Sequence, residues 1–570
     1  MNTTRLRPIV PYISVVTRRT RPVWTHLVAL ALVLLALVPV VGANASFTGD
    51  EGAAIIQARM LADGEGWLVP NKLARVDPKR EAFGLAQSDT GSKGVAPFAK
   101  HPAYPVLLAA ADRVGGVAAM VVLSIVGTLV AAALAGWLAK RIDPVLQRPS
   151  IWVTGLASPL LFDGYTVIAH SLGAALCAGA ALLLLRFLEK HHVRAALGTL
   201  FCLAAACALR NEALVFAGAL AIVTGAVGLS RRNWRLLFFA GSVAVTAAVV
   251  QLLDAYVLER IVGSRGGAFS PPSSGKLSFF EARWLGFWST WLRPSRLAGT
   301  SKGDVLLVMV LAMGLAAALI VRRRPSDING LVVMTGAGAI AAVARLIVAP
   351  IDLVPGLLLA FPLVWVGICL WDRGAVASHT TRILTAIVVL FALGVLALQY
   401  PVGGFLEWGG RYFALALPLA VPLVLHVLHR RRAQLGTDAR RVVLTGLAVV
   451  TAATLVLAVA SLRGYHQRFG ALVDDVQAST RGHEPVIVTS EPLVARLAWR
   501  SYRQQRWLLT NDHTLKRWAA RLRASGVERL TLVSTRDRRV NDLQRVSSVY
   551  TAVREYPPRD KFVVLAMRAR

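Results

Sequence analysis

Carboxylates are scarce in this sequence, with 31 Asp and Glu against 63 Lys and Arg, and charged residues of both signs fill only 16% of its 570 positions. A chain so poor in charge lacks the polar surface to cover a water-soluble enzyme of this size. Its 55% apolar content excludes intrinsic disorder as well. The formal charge of +32 would point to nucleic acid on a soluble protein. On a membrane protein the same excess belongs to cytoplasmic loops, so no nucleic-acid partner is expected. Cysteine is nearly absent: Cys177, Cys202, Cys207 and Cys369 sit in apolar runs with neither a CxxC pair nor a Cys/His cluster, so no disulfide framework or structural zinc is expected. Walker-type phosphate loops, HExxH, GxSxG and the dinucleotide fingerprint are missing too. ATP-driven and zinc-protease chemistries therefore lack their residues.

What the chain has instead is a series of apolar stretches near 20 residues long, enough to cross a hydrocarbon core. About thirteen are expected, starting near Trp24, Val117, Ile151, Leu172, Ala195, Ala213, Leu236, Val305, Leu331, Gly356, Ile383, Tyr412 and Val442. Basic residues crowd every second connection: Arg5 to Arg21, Lys140 to Arg148, Arg186 to Arg194, Arg231 to Arg235, Arg322 to Arg324, Asp372 to Arg382 and Arg430 to Arg441. By the positive-inside rule these are cytoplasmic, as is the N-terminus. The long connections Gly42 to His101 and Glu259 to Gly303 are then external. A cleaved signal peptide over Trp24 to Val41 is the alternative for the first stretch, but no small-residue cleavage pattern dominates there.

Composition changes after Arg463, which divides the chain into a membrane domain (1–463) and a C-terminal soluble domain (464–570). In the latter, PVIVTS and RLTLVS read as buried strands, with EPLVARLAWRSY and HTLKRWAARLRASG as amphipathic helices. Strand and helix alternation predicts a small parallel-sheet α/β domain. An odd number of spans places it outside the cell, and an even number would place it in the cytoplasm.

Charges near membrane depth cost about 2.5–3.5 kcal/mol each on insertion scales, so those at span ends call for a function. Asp50 and Glu51 follow the first span. They either supply a base or cation ligand, or start a helix with Asp50 as its cap. Lys100 and His101 precede an apolar helix entered through Pro102 and Pro105, where Lys100 either meets a phosphate or snorkels. Glu407 and Arg411 flank paired glycines in an external loop. Arg411 breaks the positive-inside pattern and offers paired donors to a phosphate, or pairs with Glu407. His170, Arg210, Glu212 and Arg345 are further cavity candidates, with an Arg210–Glu212 pair as the plainer reading of those two. Trp284, Trp288 and Trp291 suit an interfacial helix, and Arg265 or Lys276 in the same loop could contact substrate.

The segments FTGDEGAAIIQARML and KHPAYPVLLA, with a long outer loop between them and a helix ending near RVGG, resemble the GT-C membrane glycosyltransferases. The likeness is to the branch containing the protein O-mannosyltransferases and the lipid A aminoarabinose transferase. That branch shows an Asp-Glu pair after span one and a Lys/His-Pro-Pro-Leu segment at the loop end. Here the latter reads Lys100-His101-Pro102-Ala103-Tyr104, with one proline replaced.

The resemblance implies an all-α polytopic membrane enzyme that takes a monosaccharide from a polyprenyl-phosphate donor and passes it, outside the membrane, to a glycan, lipid or protein acceptor. It makes Asp50 the catalytic base, Glu51 a neighbour that orients acceptor or base, and Lys100, with His101, the donor-phosphate contact; Arg411 joins them on electrostatic grounds. Attack by the acceptor hydroxyl inverts the anomeric centre. No cofactor is required by the sequence, and a divalent cation at the Asp50-Glu51 pair remains open. Abundant Arg, Ala, Val and Gly suggest a GC-rich bacterium, hence a plasma-membrane location and a mannose or arabinose donor. Two rival readings are a lipid or solute transporter and a non-catalytic cell-envelope assembly protein.

Overall fold

The computed structural model describes residues 22–43, 46, 48–85, 90–263, 278–287, 290–291, 356–398, 409–433, 436–482, 485–559 and 561–570. The chain is a multi-pass membrane protein. Among the described residues, eight helices are long and apolar enough to cross a membrane, and Val193–Leu209 is a shorter apolar helix. In chain order the helices are α1 (Val23–Val41), α2 (Gly49–Ala62), α3 (Ala103–Ile142), α4 (Gln147–Trp152), α5 (Leu160–Asp163), α6 (His170–Lys190), α7 (Val193–Leu209), α8 (Glu212–Ser230) and α9 (Trp234–Val262). They continue as α10 (Phe279–Phe287), α11 (Leu357–Ala360), α12 (Pro362–Cys369), α13 (His379–Leu398), α14 (Leu417–Arg432) and α15 (Thr437–Ser479). The stretches expected to start at Val305 and Leu331 lie outside the described residues.

Three spans depart from the expectation. The helix expected from Val117 starts at Ala103 and is kinked at Gly115 and Gly116, which have non-helical backbone angles, so a short helix leads into the span proper. The span expected at Ile151 is broken: α4 widens into a π-helical turn over Val153–Ala157, followed by Ser158, Pro159 and the single turn α5. Such widened turns are rare and frequent at functional sites. The span expected at Gly356 is also interrupted, between α11 and α12, where Phe361 leaves helical geometry before Pro362.

Alternation of basic connections reappears as geometry. Arg141 bonds Glu189 at 2.5 Å, Arg430 lies 3.1 Å from Asp372, His429 lies 3.8 Å from Asp143, and Arg231 meets His379 at 2.7 Å. The Arg-rich connections therefore meet at one end of the bundle, opposite the outer loop. Exposed side chains such as Val122, Phe201, Phe238 and Leu252 mark the lipid-facing surface of α3, α7 and α9.

The last span does not end near Arg463. α15 runs on to Ser479, and its 43 residues make a rod roughly 64 Å long, twice the hydrocarbon thickness. It carries the C-terminal domain directly: Ser479 bonds Thr531 at 2.7 Å and Asp475 accepts from Arg559 at 2.8 Å. That domain contains β3 (Val486–Thr489), α16 (Pro492–Leu497), β4 (Arg506–Leu509), α17 (Leu515–Ala524), β5 (Arg529–Thr535), α18 (Arg539–Val546), β6 (Tyr550–Glu555) and β7 (Phe562–Ala569). Sheet order is β4-β3-β5-β7-β6. The three strands joined through helices are parallel, as their connections require, but β6 and β7 form a hairpin antiparallel to β5, so the sheet is mixed and not the parallel one expected.

The outer loop seals the β4 edge. It carries a small hairpin of its own, β1 (Thr90–Gly91) with β2 (Gly94–Val95). Leu509 donates to the Ala82 carbonyl at 2.7 Å and Phe83 bridges Leu508, which removes an exposed edge. Helix α2 is buried almost throughout, between the bundle and α16. The C-terminal domain thus shares a membrane side with α2 and the outer loop.

Contact between α2 and α16 is so close that a Cβ at Gly52 would lie 2.0 Å from the Arg496 carbonyl oxygen. Gly52→Ala is therefore expected to cost about 1–3 kcal/mol by overpacking. A lower melting temperature of the purified protein and faster proteolysis between the two domains would check it.

Candidate active site

Construction of the site starts at Thr48, whose side-chain oxygen accepts the Glu51 amide at 3.1 Å. Thr48, not Asp50, therefore caps α2, and the two carboxylates occupy the first turn, where the helix dipole favours negative charge. Neighbouring helical residues diverge by about 100°, and so do these side chains. Glu51 turns inward and is buried, accepting the Val167 amide at 2.9 Å from the chain that follows the broken span. Asp50 turns the other way, toward cations, and keeps 27% of its side chain exposed.

Lys100 comes from the end of the outer loop and donates its Nζ to Asp50 Oδ1 at 3.1 Å. The next residue, His101, adopts a left-handed backbone (φ 41°) that turns the chain into Pro102 and α3. The His101 ring is buried and lies 3.0 Å from Asp254 on α9, so it anchors the loop end and does not face Asp50.

Arg411 follows Gly409 and Gly410, both with positive φ (75° and 61°). A Cβ on Gly410 would come within 2.4 Å of the Thr290 carbonyl, so only glycine permits this approach. Arg411 then places its guanidinium 3.6 Å from Asp50 Oδ2 and 5.1 Å above the Tyr412 ring. Its neighbour Phe413 meets Trp291 edge to face at 4.6 Å, so that tryptophan packs beside the site. Trp284, with Phe279 and Phe280 on α10, stays exposed as an interfacial anchor would.

Of the remaining candidates, Arg210 forms the expected pair with Glu212, through two bonds of 3.0 and 2.6 Å. Its charge also reaches Asp50. His170 is buried at the start of α6, 3.5 Å from Asp163. Glu407, Arg345, Arg265, Lys276 and Trp288 lie outside the described residues. One residue had no sequence signal beyond a place in an amphipathic helix: Arg496 of α16 packs its side chain over Gly49, beside Asp50. Burial pushes its guanidinium pKa down, and the Asp50 carboxylate opposes that.

Burial works against ionisation of Asp50 as well, but Lys100, Arg411 and Arg210 outweigh it and hold its carboxyl well below the usual carboxylate range. The outcome is an ionised Asp50 among cations delivered by the outer loop, the α14 entrance and the C-terminal domain, with Arg210 at the α7 end shared with Glu212. Such a cluster carries excess positive charge and suits an anion. Asp50 and Glu51 point apart, Asp50 to Lys100 and Arg411 and Glu51 to the Val167 amide.

No family model matches the chain, and no curated protein matches it in sequence. Its fold does match solved structures. ArnT from Cupriavidus metallidurans bound to undecaprenyl phosphate superposes with a TM-score of 0.52 at 13% identity, covering 95% of this chain and 97% of that one. ArnT from the same organism in the apo state gives 0.50 at 12%, covering 96% and 98%. The chain shares the fold of these structures over nearly its whole length, and the GT-C architecture that the resemblance implied for roughly the first 460 residues is that fold.

A depressed carboxyl pKa stabilises the fold above the unfolded value of 3.8 and loses that contribution as pH falls through the folded value. Asp50→Asn should therefore melt below the wild type at pH 7, with the gap unchanged to about pH 5 and closing in more acidic buffer. Thermal melts of the two proteins across that range check the sign.

Proposed function

From this fold and this cluster, we propose that the protein is a GT-C glycosyltransferase that moves a monosaccharide from a polyprenyl-phosphate donor to an acceptor hydroxyl. The observation that carries the proposal is the contact of Asp50 with both Lys100 and Arg411. A base and two phosphate-binding cations in mutual contact are what an acceptor hydroxyl and a lipid phosphate leaving group require. The apolar bundle around them accommodates the prenyl chain, which enters sideways from lipid.

Asp50 in its resting pairing is ionised but a weak base, because its cations hold its proton affinity down. A donor phosphate binding Lys100 and Arg411 neutralises them and restores basicity to Asp50 as the acceptor arrives. The acceptor oxygen then attacks the anomeric carbon as Asp50 takes its proton; the bond to the phosphate oxygen breaks on the opposite face, inverting the centre. The departing phosphate is anionic and needs cations, not a general acid. Lys100 and Arg411 supply that stabilisation in a site partly shielded from water. Glu51 serves by tying α2 to the bundle through Val167, which orients its neighbour Asp50. The Arg-rich end of the bundle is cytoplasmic by the positive-inside rule, so transfer takes place on the outer face of a bacterial plasma membrane.

Membranes incubated with radiolabelled polyprenyl-phosphate mannose and arabinose should yield a labelled product. Asp50→Asn should lower turnover by at least about 10²-fold while retaining donor binding, in line with loss of a general base. Lys100→Ala and Arg411→Ala should instead weaken donor binding. Undiminished turnover in Asp50→Asn, or label drawn directly from a nucleotide sugar, would refute the assignment.

A further inference from the structure

A groove of about 630 Å³ runs along the bundle in the half next to the Arg-rich connections, remote from Asp50. Its walls are α4 with the widened turn after it, α12, the last two turns of α14 and the first half of α15. The groove is open to the surroundings and not a closed void. Val145 and Leu444 on its walls are exposed, as are Pro149, Ala448 and Ala452.

Polar groups along the wall already have partners. The Trp152 indole donates to His26 Nδ1 at 3.1 Å, and the Thr451 hydroxyl donates to the Leu447 carbonyl at 2.7 Å. The rest of the wall below the mouth is Leu, Val, Ala and Pro, which offers only dispersion contact, as a hydrocarbon chain requires. Charge collects at one end, where Arg431, Arg432 and Arg440 stand at the mouth. Arg430 and Arg431 share Asp372, at 3.1 and 3.4 Å, and His429 lies by Asp143. Among the described residues no carboxylate pairs with Arg432 or Arg440, so the mouth carries excess positive charge. Leu444 to Leu455 covers roughly 16 Å along α15, about the hydrocarbon depth of one leaflet, and Arg440 stands one turn beyond. An apolar slot one leaflet deep, with cations at its headgroup end, is the complement of an amphiphile with an anionic head.

We propose that this groove holds an anionic phospholipid of the leaflet at the Arg-rich end, with one acyl chain along α15 and the phosphate at Arg432 and Arg440. Basic pockets between membrane helices take anionic headgroups, whereas a zwitterionic lipid brings no net charge to these arginines. A lipid seated there packs between α4 and α15, the helix that carries the C-terminal domain. The inference rests on the groove and its cations and stands apart from the transferase reading of the Asp50 cluster.

The test uses full-length protein in dodecyl maltoside, delipidated and then titrated with dioleoylphosphatidylglycerol or dioleoylphosphatidylcholine. Native mass spectrometry reads the lipid retained, and a thermal melt reads its effect on stability. Phosphatidylglycerol should be retained in preference to phosphatidylcholine and should raise the melting temperature, as a ligand of the folded state does. Arg432→Gln combined with Arg440→Gln should weaken phosphatidylglycerol binding about tenfold. Ala448→Phe, which fills the slot and leaves the arginines in place, should lower retention as well. None of these positions is buried, so the lipid-free melting temperature should stay near that of the wild type. Arg194→Gln, on the exposed start of α7 at the same end of the bundle but outside the groove, should bind as the wild type does. Equal retention of the two phospholipids, unchanged phosphatidylglycerol affinity in either groove variant, or an equal loss in Arg194→Gln would overturn the proposal. So would displacement of phosphatidylglycerol by equimolar undecaprenyl phosphate, which would give the groove to a prenyl lipid.

Discussion

Everything functional in this molecule is arranged around a shortage of negative charge. Lys100, Arg411 and Arg496 converge on Asp50, while Arg210 is answered locally by Glu212. Removing such charges from water is expensive, and a single carboxylate does not offset several cations in a medium of reduced dielectric. The excess positive potential that results is held by backbone features costly to alter: a left-handed His101, paired glycines ahead of Arg411 and a capped first turn under Asp50. An anion entering the cluster meets donors already in position, without reorganisation.

The soluble domain is part of that arrangement and not an appendage. A continuous α15 leaves little freedom between membrane and domain, and α16 presses on α2 where Gly52 leaves no room for a side chain. The β4 edge is closed by the outer loop, so loop and domain share one buried surface. Arg496 comes beside Asp50 only because of this contact. Broken spans on the membrane side act in a complementary way. Interruption of the helix after α4 frees a backbone amide at Val167 to hold Glu51, which a regular span would have kept in its own ladder.

Much was legible in the sequence because the signals are local. Apolar runs and alternating basic connections marked most of the membrane helices, Asp50 and Glu51 marked a helix start although Thr48 turned out to be its cap, and strand-like PVIVTS and RLTLVS became β3 and β5. Their reach failed where local pattern is silent. The β6–β7 hairpin, which makes the sheet mixed, went unread because Thr551 to Glu555 are all exposed at the sheet edge, so no buried alternation marks the strand. The end of the last span near Arg463 was hidden because helix continues through polar sequence once a domain packs on it.

The sequence by itself determined that the chain spans a membrane repeatedly, that it carries an Asp-Glu pair and a Lys-His-Pro segment on the same side, and that an α/β unit follows, because hydropathy and periodicity are written in neighbouring residues. Only the tertiary structure decided that Asp50 takes Lys100 and Arg411 while Glu51 takes Val167, that His101 goes to Asp254, and that Arg496 joins them. Those choices depend on the angle between adjacent helical side chains and on contacts between residues up to hundreds of positions apart, which no local pattern encodes.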